Sequence, residues 1–115
     1  MTDQERRRDL IRAYKERPVT GGVFAIENAR TGRIFLGAET DLAGTRNKFQ
    51  FSVFTKTTPF HELAADWTAD GPEAFTFQVL DEMEQKPDQT PREFREELEA
   101  LLDLWREKLG DRNLY

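Results

Sequence analysis

Two apolar runs separated by a polar, glycine-containing segment predict a β-hairpin in the first third of the chain. The first run covers residues 22–26 and the second covers residues 33–36. The residues between them, 28–32, contain the asparagine and glycine that tight turns between strands favour. The two runs are therefore expected to lie side by side as neighbouring strands.

A later alternating run predicts a third strand. In residues 75–80 every second side chain is apolar, so Phe75, Phe77 and Val79 share one face. Residues 85–89 are polar, contain a proline, and are expected to form a loop. We therefore expect the third strand to cover residues 75–80.

Four segments have the three- to four-residue spacing of apolar side chains that is typical of amphipathic helices. Asp41 is the expected N-cap of the second helix. Thr90 and Glu93 have the spacing of a capping box at the start of the fourth, and Gly110 is expected to end it. The order of helices and strands predicts a single small α+β domain. The predicted helices cover about residues 2–16, 41–54, 59–69 and 90–109.

Length and composition exclude several classes of protein. The chain has 115 residues, enough for one domain with a single core. It contains no cysteine, which excludes a disulfide framework, a thiolate metal site and a cysteine nucleophile. No run approaches the 18 apolar residues of a membrane helix, and the N-terminus lacks the apolar segment of a signal peptide. We expect a cytoplasmic protein with no membrane partner.

Charge is distributed unevenly along the chain. The net charge of −5 opposes general adhesion to nucleic acid. Residues 1–56 nevertheless carry a balance of +4, whereas residues 57–115 carry −9. The basic half is therefore either a surface that meets phosphate groups or, as in many proteins, a set of solvated helix faces.

Two triplets in the predicted hairpin resemble the GIY-YIG nuclease family. Gly22-Val23-Phe24 is followed after ten residues by Phe35-Leu36-Gly37, with phenylalanine in place of both tyrosines. Residues 63–80 also resemble the middle of many bacterial members. The resemblance covers about residues 20–115 and implies a small three-stranded, mainly antiparallel sheet flanked by helices. It divides the chain into an N-terminal helical extension, residues 1–18, and a GIY-YIG-like domain, residues 19–115.

The resemblance also indicates which positions carry the chemistry in that family: two tyrosines, an arginine, one or two histidines, and a glutamate that holds one divalent metal ion. In this sequence every one of those positions is substituted. A site lined by phenyl rings and leucine would be a packed apolar pocket that rejects a hydrated metal ion. We therefore expect a nuclease fold without nuclease chemistry and without a cofactor. The matching residues are Phe24, Phe35, Thr45, Phe49, Thr58 and Leu102.

A divergent, metal-dependent endonuclease that hydrolyses DNA is the alternative. Arg46 follows the arginine position by one residue, and His61 is the only imidazole. Asp103 and Glu99 flank the glutamate position on either side. An active site with Mg²⁺ or Mn²⁺ would require Arg46, His61 and one of these carboxylates to converge on one cleft.

Three other roles follow from side chains outside those positions. Phe51 and Phe54 lie off the apolar stripe of the second helix, so at least one should be exposed or buried against an unknown protein partner or in a homodimer. A non-catalytic nucleic-acid binder would use basic side chains. A small-molecule pocket is the remaining possibility. The basic set comprises Arg30, Arg33, Arg46 and Lys48, together with Arg6, Arg7, Arg8 and Arg12 in the first predicted helix.

The packing of the two hairpin phenylalanines can also be predicted. Phe24 and Phe35 should be mostly buried on adjacent strands, with their rings in contact. The family resemblance places them facing the Leu102–Trp105 side of the last helix.

Overall fold

A computed structural model of the protein describes residues 20–110 and 113–115. The helix predicted over residues 2–16, and with it the proposed extension over residues 1–18, lies outside the described residues. The fold is α+β, as expected. The described residues form three strands, three α-helices and two short 3₁₀ turns. The strands are β1 (Thr20–Asn28), β2 (Ile34–Glu39) and β3 (Phe75–Glu84), and the helices are α1 (Leu42–Thr55), α2 (Ala64–Asp70) and α3 (Pro91–Leu109).

The sheet is antiparallel with the strand order β2-β1-β3. The predicted hairpin is confirmed as β1 and β2, which are joined by a tight turn. At that turn the Asn28 N–H donates to the carbonyl of Arg33 at 2.9 Å, and the Gly32 N–H donates to the carbonyl of Asn28 at 2.8 Å. Gly32 has a φ of +74°, a conformation that glycine adopts without steric cost.

Strand β3 is longer than the sequence pattern predicted. It continues past Leu80 to Glu84, because β1 begins at Thr20 and offers backbone partners as far as that residue. The last four residues of β3, Asp-Glu-Met-Glu, have low intrinsic strand propensity, so pairing with β1 decides their conformation. A register shift between Val23 and Phe24 accompanies this extension.

Two of the three helices in the described residues begin where their capping signals indicate. The Asp41 carboxylate accepts the Gly44 N–H at 3.0 Å at the start of α1. Thr90 and Glu93 form the predicted capping box of α3, which ends before Gly110. The third predicted helix, residues 59–69, is different: residues 61–63 form a 3₁₀ turn, and α2 covers only Ala64–Asp70.

The sheet separates two apolar clusters. On one face, Phe24 and Ile26 of β1 pack against α1 and α2. On the other face, Ala25, Ile34 and Leu36 pack against α3. This division follows from the alternation of side chains along each strand. The protein is thus layered as α1 and α2, then the sheet, then α3. None of the helices in residues 20–110 is long and apolar enough to cross a membrane.

A short segment at the end of the sequence extends the sheet beyond β2. Leu114 forms a parallel bridge with Ile34. The Ile34 N–H donates to the carbonyl of Asn113, and the Tyr115 N–H donates to the carbonyl of Ile34, both at 2.9 Å. The outer edge of β2 is therefore partly covered by residues 113–115.

Candidate functional site

The glycines of the two triplets lie where the backbone is closely approached. A Cβ atom at Gly22 would overlap the backbone carbonyl of Asp81 on β3. A Cβ atom at Gly37 would lie 2.5 Å from Cζ of Phe24, whose ring covers that glycine. Both glycines are therefore required by packing in this chain, independently of any catalytic role.

Phe24 is the centre of a group of five phenyl rings on the α1 face of the sheet. Its side chain is 1% exposed. Its ring centroid lies 5.2 Å from that of Phe77, 5.7 Å from that of Phe60 and 6.1 Å from that of Phe35. Phe49 joins the group through Phe77, at 5.6 Å. We call these five rings the aromatic stack.

The predicted contact between Phe24 and Phe35 is confirmed, but the side of the sheet was wrong. Both rings face α1 and α2, whereas Leu102 packs against the cluster of Ala25, Ile34 and Leu36 on the opposite face. A residue of β1 cannot direct its side chain to both faces, so the sheet lies between Phe24 and Leu102. The predicted pocket formed jointly by Phe24, Phe35, Phe49 and Leu102 does not exist.

Polar side chains of α1 border the aromatic stack. Thr45 is buried, and its hydroxyl donates to the carbonyl of Asp41 at 2.9 Å. Cζ of Arg46 lies 5.5 Å from the ring centroid of Phe77, and Nζ of Lys48 lies 4.4 Å from that of Phe60. An open cavity of about 230 Å³ adjoins this border. It is lined by Glu39, Thr40, Asp41, Gly44, Thr45, Lys48 and Phe60.

The residues of the alternative active site are not brought together. His61 is 92% exposed and contacts Glu62 at 3.4 Å. Asp103 and Glu99 are exposed on α3, and Asp103 contacts Arg106 there at 3.8 Å. Because α3 covers the opposite face of the sheet from α1, Arg46 and Asp103 do not share a cleft. Thr58 lies exposed between α1 and the first 3₁₀ turn.

Comparison with solved structures identifies the fold. The catalytic domain of the homing endonuclease I-TevI superposes with a TM-score of 0.57 at 14% sequence identity, over 83% of this chain and 95% of that domain. The fold is GIY-YIG-like. A mutant of the I-TevI catalytic domain gives a TM-score of 0.59 at 13% identity, over 84% of this chain and 91% of that one. No protein-family model matches the sequence, and no curated protein does.

The GIY-YIG fold implies a divalent metal ion, but the residues of this chain do not fit one. Magnesium and manganese take oxygen ligands in near-ideal octahedral geometry. The matching positions on the α1 face carry phenyl rings and one threonine, whose hydroxyl already donates to a backbone carbonyl. Within residues 20–110 and 113–115, no group of three or more histidine, aspartate or glutamate side chains is arranged to hold a metal ion.

The cations expected to contact nucleic acid divide into two pairs. Arg46 and Lys48 lie on α1, beside the aromatic stack. Arg30 and Arg33 lie at the turn of the hairpin. Of these two, Arg30 is exposed, while Arg33 contacts the Asp66 carboxylate at 3.4 Å and stacks 4.0 Å above the ring of Tyr115. Among the described residues, Arg33 is thus the one of the four with a carboxylate within ion-pair distance.

A polar network that was not predicted from the sequence ties residues 113–115 to the turn of the hairpin. Asn28 is fully buried and donates to Asp70 at 2.8 Å and to the Tyr115 hydroxyl at 3.2 Å. The Tyr115 hydroxyl donates to the Asp66 carboxylate at 2.6 Å. The residues come from three distant segments, so no local pattern indicates the network. It orients Tyr115 over Arg33 and fixes the end of β1.

The ionisation of Tyr115 should report whether this network forms. Burial raises the pKa of Tyr115 above 10.0, and its hydrogen bond to Asp66 raises it further, against smaller opposing effects of Asn28 and Arg33. The folded state therefore favours the protonated phenol. Its contribution to stability is fully present below pH 10.0 and is lost as the pH rises through the higher folded-state pKa.

We expect Tyr115 to ionise above pH 10.0 in the folded protein and near 10.0 in denaturant. Tyr14→Phe removes the only other phenol, so that the ultraviolet absorbance of the phenolate follows Tyr115 alone. Asp66→Asn in the same background should lower the pKa of Tyr115, because the carboxylate charge is removed. Ionisation at or below pH 10.0 in the folded protein would show that the network does not form in solution.

Proposed function

We propose that this protein is a pseudo-enzyme: a GIY-YIG-fold domain that has lost phosphodiester hydrolysis and acts as a binding module. The observation that carries the proposal is the aromatic stack. At the positions where the resembled family has its tyrosines and its histidine, Phe24, Phe35 and Phe49 pack together with two further rings.

The stack has a structural role that accounts for these residues without catalysis. Burying a large apolar side chain stabilises a fold by about 1.5–3 kcal/mol, and an aromatic pair adds about 0.5–1.5 kcal/mol. Hydrolysis, in contrast, requires an activated water and stabilisation of charge on the phosphoryl oxygens. A buried phenyl ring can do neither, because it has no proton to transfer and no lone pair to donate.

A second observation favours a binding role. Phe51 is 65% exposed and Phe54 is 86% exposed on the outer surface of α1. The expectation that at least one of them is exposed is therefore confirmed. Neighbouring exposed aromatic side chains are enriched at interaction surfaces, because they supply contact area with little loss of side-chain entropy.

Incubation with nucleic acids tests the loss of catalysis. We expect no cleavage above buffer of single-stranded, double-stranded or branched DNA, or of RNA, with either Mg²⁺ or Mn²⁺. Losing a general base alone costs about 10²–10⁴ in rate, and losing the metal removes several kcal/mol of further stabilisation. Cleavage by the unaltered chain that disappears in Arg46→Ala, His61→Ala or Asp103→Ala would contradict the proposal and favour a divergent endonuclease. The double variant Phe51→Ser/Phe54→Ser serves as the matched control, because it alters none of these side chains.

A further inference from the structure

The most exposed large apolar side chains of the described residues lie on two helices. Phe51 and Phe54 belong to α1, and Leu104, which is 61% exposed, belongs to α3. These helices cover opposite faces of the sheet, so the two apolar surfaces point away from each other. One surface offers two aromatic rings three residues apart, and the other offers an aliphatic side chain.

The surroundings of Phe51 and Phe54 are basic. No acidic residue occurs between Asp41 and Glu62, while this stretch contains Arg46, Lys48 and Lys56. In the described part of the chain, none of these three side chains lies within ion-pair distance of a carboxylate. Lys48 precedes Phe51 by three residues, one turn of the helix, and lies at the edge of this surface, where its Nζ is 4.4 Å from the ring centroid of Phe60. We call Lys48, Phe51, Phe54 and Lys56 the basic aromatic face.

The surroundings of Leu104 are acidic. On a helix, residues three, four and seven positions away share the surface of a given side chain, which places Glu107, Lys108, Ala100 and Glu97 beside Leu104. Glu97 also lies 3.8 Å from Lys86 and accepts a hydrogen bond from Gln89 at 2.6 Å, so Glu107 is the carboxylate of this set that has no cation within ion-pair distance in the described residues. The nearby Lys108 directs its ammonium group over Trp105 at 4.7 Å. The helix as a whole carries six acidic and four basic side chains. We call Glu97, Ala100, Leu104 and Glu107 the acidic leucine face.

We propose that the basic aromatic face of one copy of this protein docks onto the acidic leucine face of a second copy. The proposal rests on the function proposed above and names its partner. Phe51 and Phe54 would cover Leu104 and Ala100, while Lys48 and Lys56 would lie near Glu107 and Glu97. A second copy accounts for both exposed surfaces at once, whereas an unrelated acidic partner accounts only for the first.

The geometry favours head-to-tail association over a symmetric dimer. In a symmetric contact, the basic aromatic face would meet its own copy and bring lysines of like charge together. Docking between different faces avoids this repulsion and leaves one unused face at each end. Such contacts continue into open chains unless the rotation between copies closes a ring.

Sedimentation velocity of the full chain provides the test, from about 10 µM to about 500 µM protein. We expect the average sedimentation coefficient to rise with concentration at low salt and to rise less at about 0.5 M NaCl, because exposed charge pairs are screened. Phe51→Ser/Phe54→Ser and Leu104→Ser should each weaken association at least about tenfold, with unchanged circular dichroism. Ala43→Ser, an exposed change on α1 outside the face, should have no effect.

A mixture of the two variants makes the test specific for head-to-tail docking. Phe51→Ser/Phe54→Ser retains the acidic leucine face, and Leu104→Ser retains the basic aromatic face. An equimolar mixture should therefore form a complex that stops at two chains, although each variant alone stays monomeric.

Three results would overturn the docking proposal: a monomer at every concentration, association that Leu104→Ser leaves unchanged, or a mixture that remains monomeric. Binding of an acidic peptide or a single-stranded oligonucleotide to a chain that stays monomeric would likewise assign the basic aromatic face to another partner. These failures differ from failure of the proposed function, which the cleavage assay detects whether or not the chain self-associates.

Discussion

Phe24→Ala should lower the free energy of unfolding by about 3–5 kcal/mol, as large-to-small substitutions of buried phenylalanine do. The ring is buried, stacks on Phe77 and Phe60, and covers Gly37. Removing it leaves a cavity at the centre of the aromatic stack. Because β1 is paired on both sides, its backbone cannot move inward to fill that space.

Urea unfolding followed by circular dichroism measures this effect. The matched control is Phe35→Ala, which removes a ring of the same stack from the edge strand β2, where the side chain is only partly buried. We expect the control to lose about half as much stability or less. Equal losses for the two variants would contradict the central position that the structure gives to Phe24.

Gly22→Ala should destabilise the protein by about 3 kcal/mol or more, a large share of the total stability of a small domain. The added Cβ would overlap the backbone carbonyl of Asp81, and neither backbone can yield without breaking the pairing of β1 with β3. The effect should be visible in thermal and urea unfolding as a lower midpoint.

Gly32→Ala separates this steric effect from the general cost of replacing glycine. Gly32 has a φ of +74° but no heavy atom within 4 Å of an added Cβ. Its substitution should therefore cost only the conformational strain, about 1–2 kcal/mol. If Gly22→Ala were no more destabilising than Gly32→Ala, the close approach of β3 to Gly22 would not be present in solution.

The helix starts that could be predicted from the sequence carry their signals locally. Asp41, Thr90 and Glu93 form their capping hydrogen bonds within three or four residues, so the starts of α1 and α3 could be predicted. The end of β3 could not, because residues 81–84 owe their conformation to the beginning of β1, some 60 residues earlier. Residues 59–63 have apolar spacing typical of a helix, but Phe60 has an extended backbone and only residues 61–63 form a 3₁₀ turn.

The candidate site could be predicted only in part, for a related reason. Hydrophobic periodicity shows that Leu102 is on the buried side of its helix, and the structure agrees. Periodicity does not show which face of the sheet that helix covers, and the family correspondence placed Leu102 on the wrong one. Phe60 and Phe77 of the aromatic stack, and the network of Asn28 and Tyr115, depend on contacts between residues 36 to 87 positions apart in the sequence.

The sheet pairs some segments that are close together in the sequence and others that are far apart. On one side of β1, Glu27 pairs with Ile34 across a tight turn; on the other, Asn28 pairs with Phe75 and Thr20 with Glu84. Local pairs form within microseconds, while closing a loop of about 50 residues adds an entropic barrier. The hairpin is therefore expected to act as an early template, and the arrival of β3 to set the folding rate.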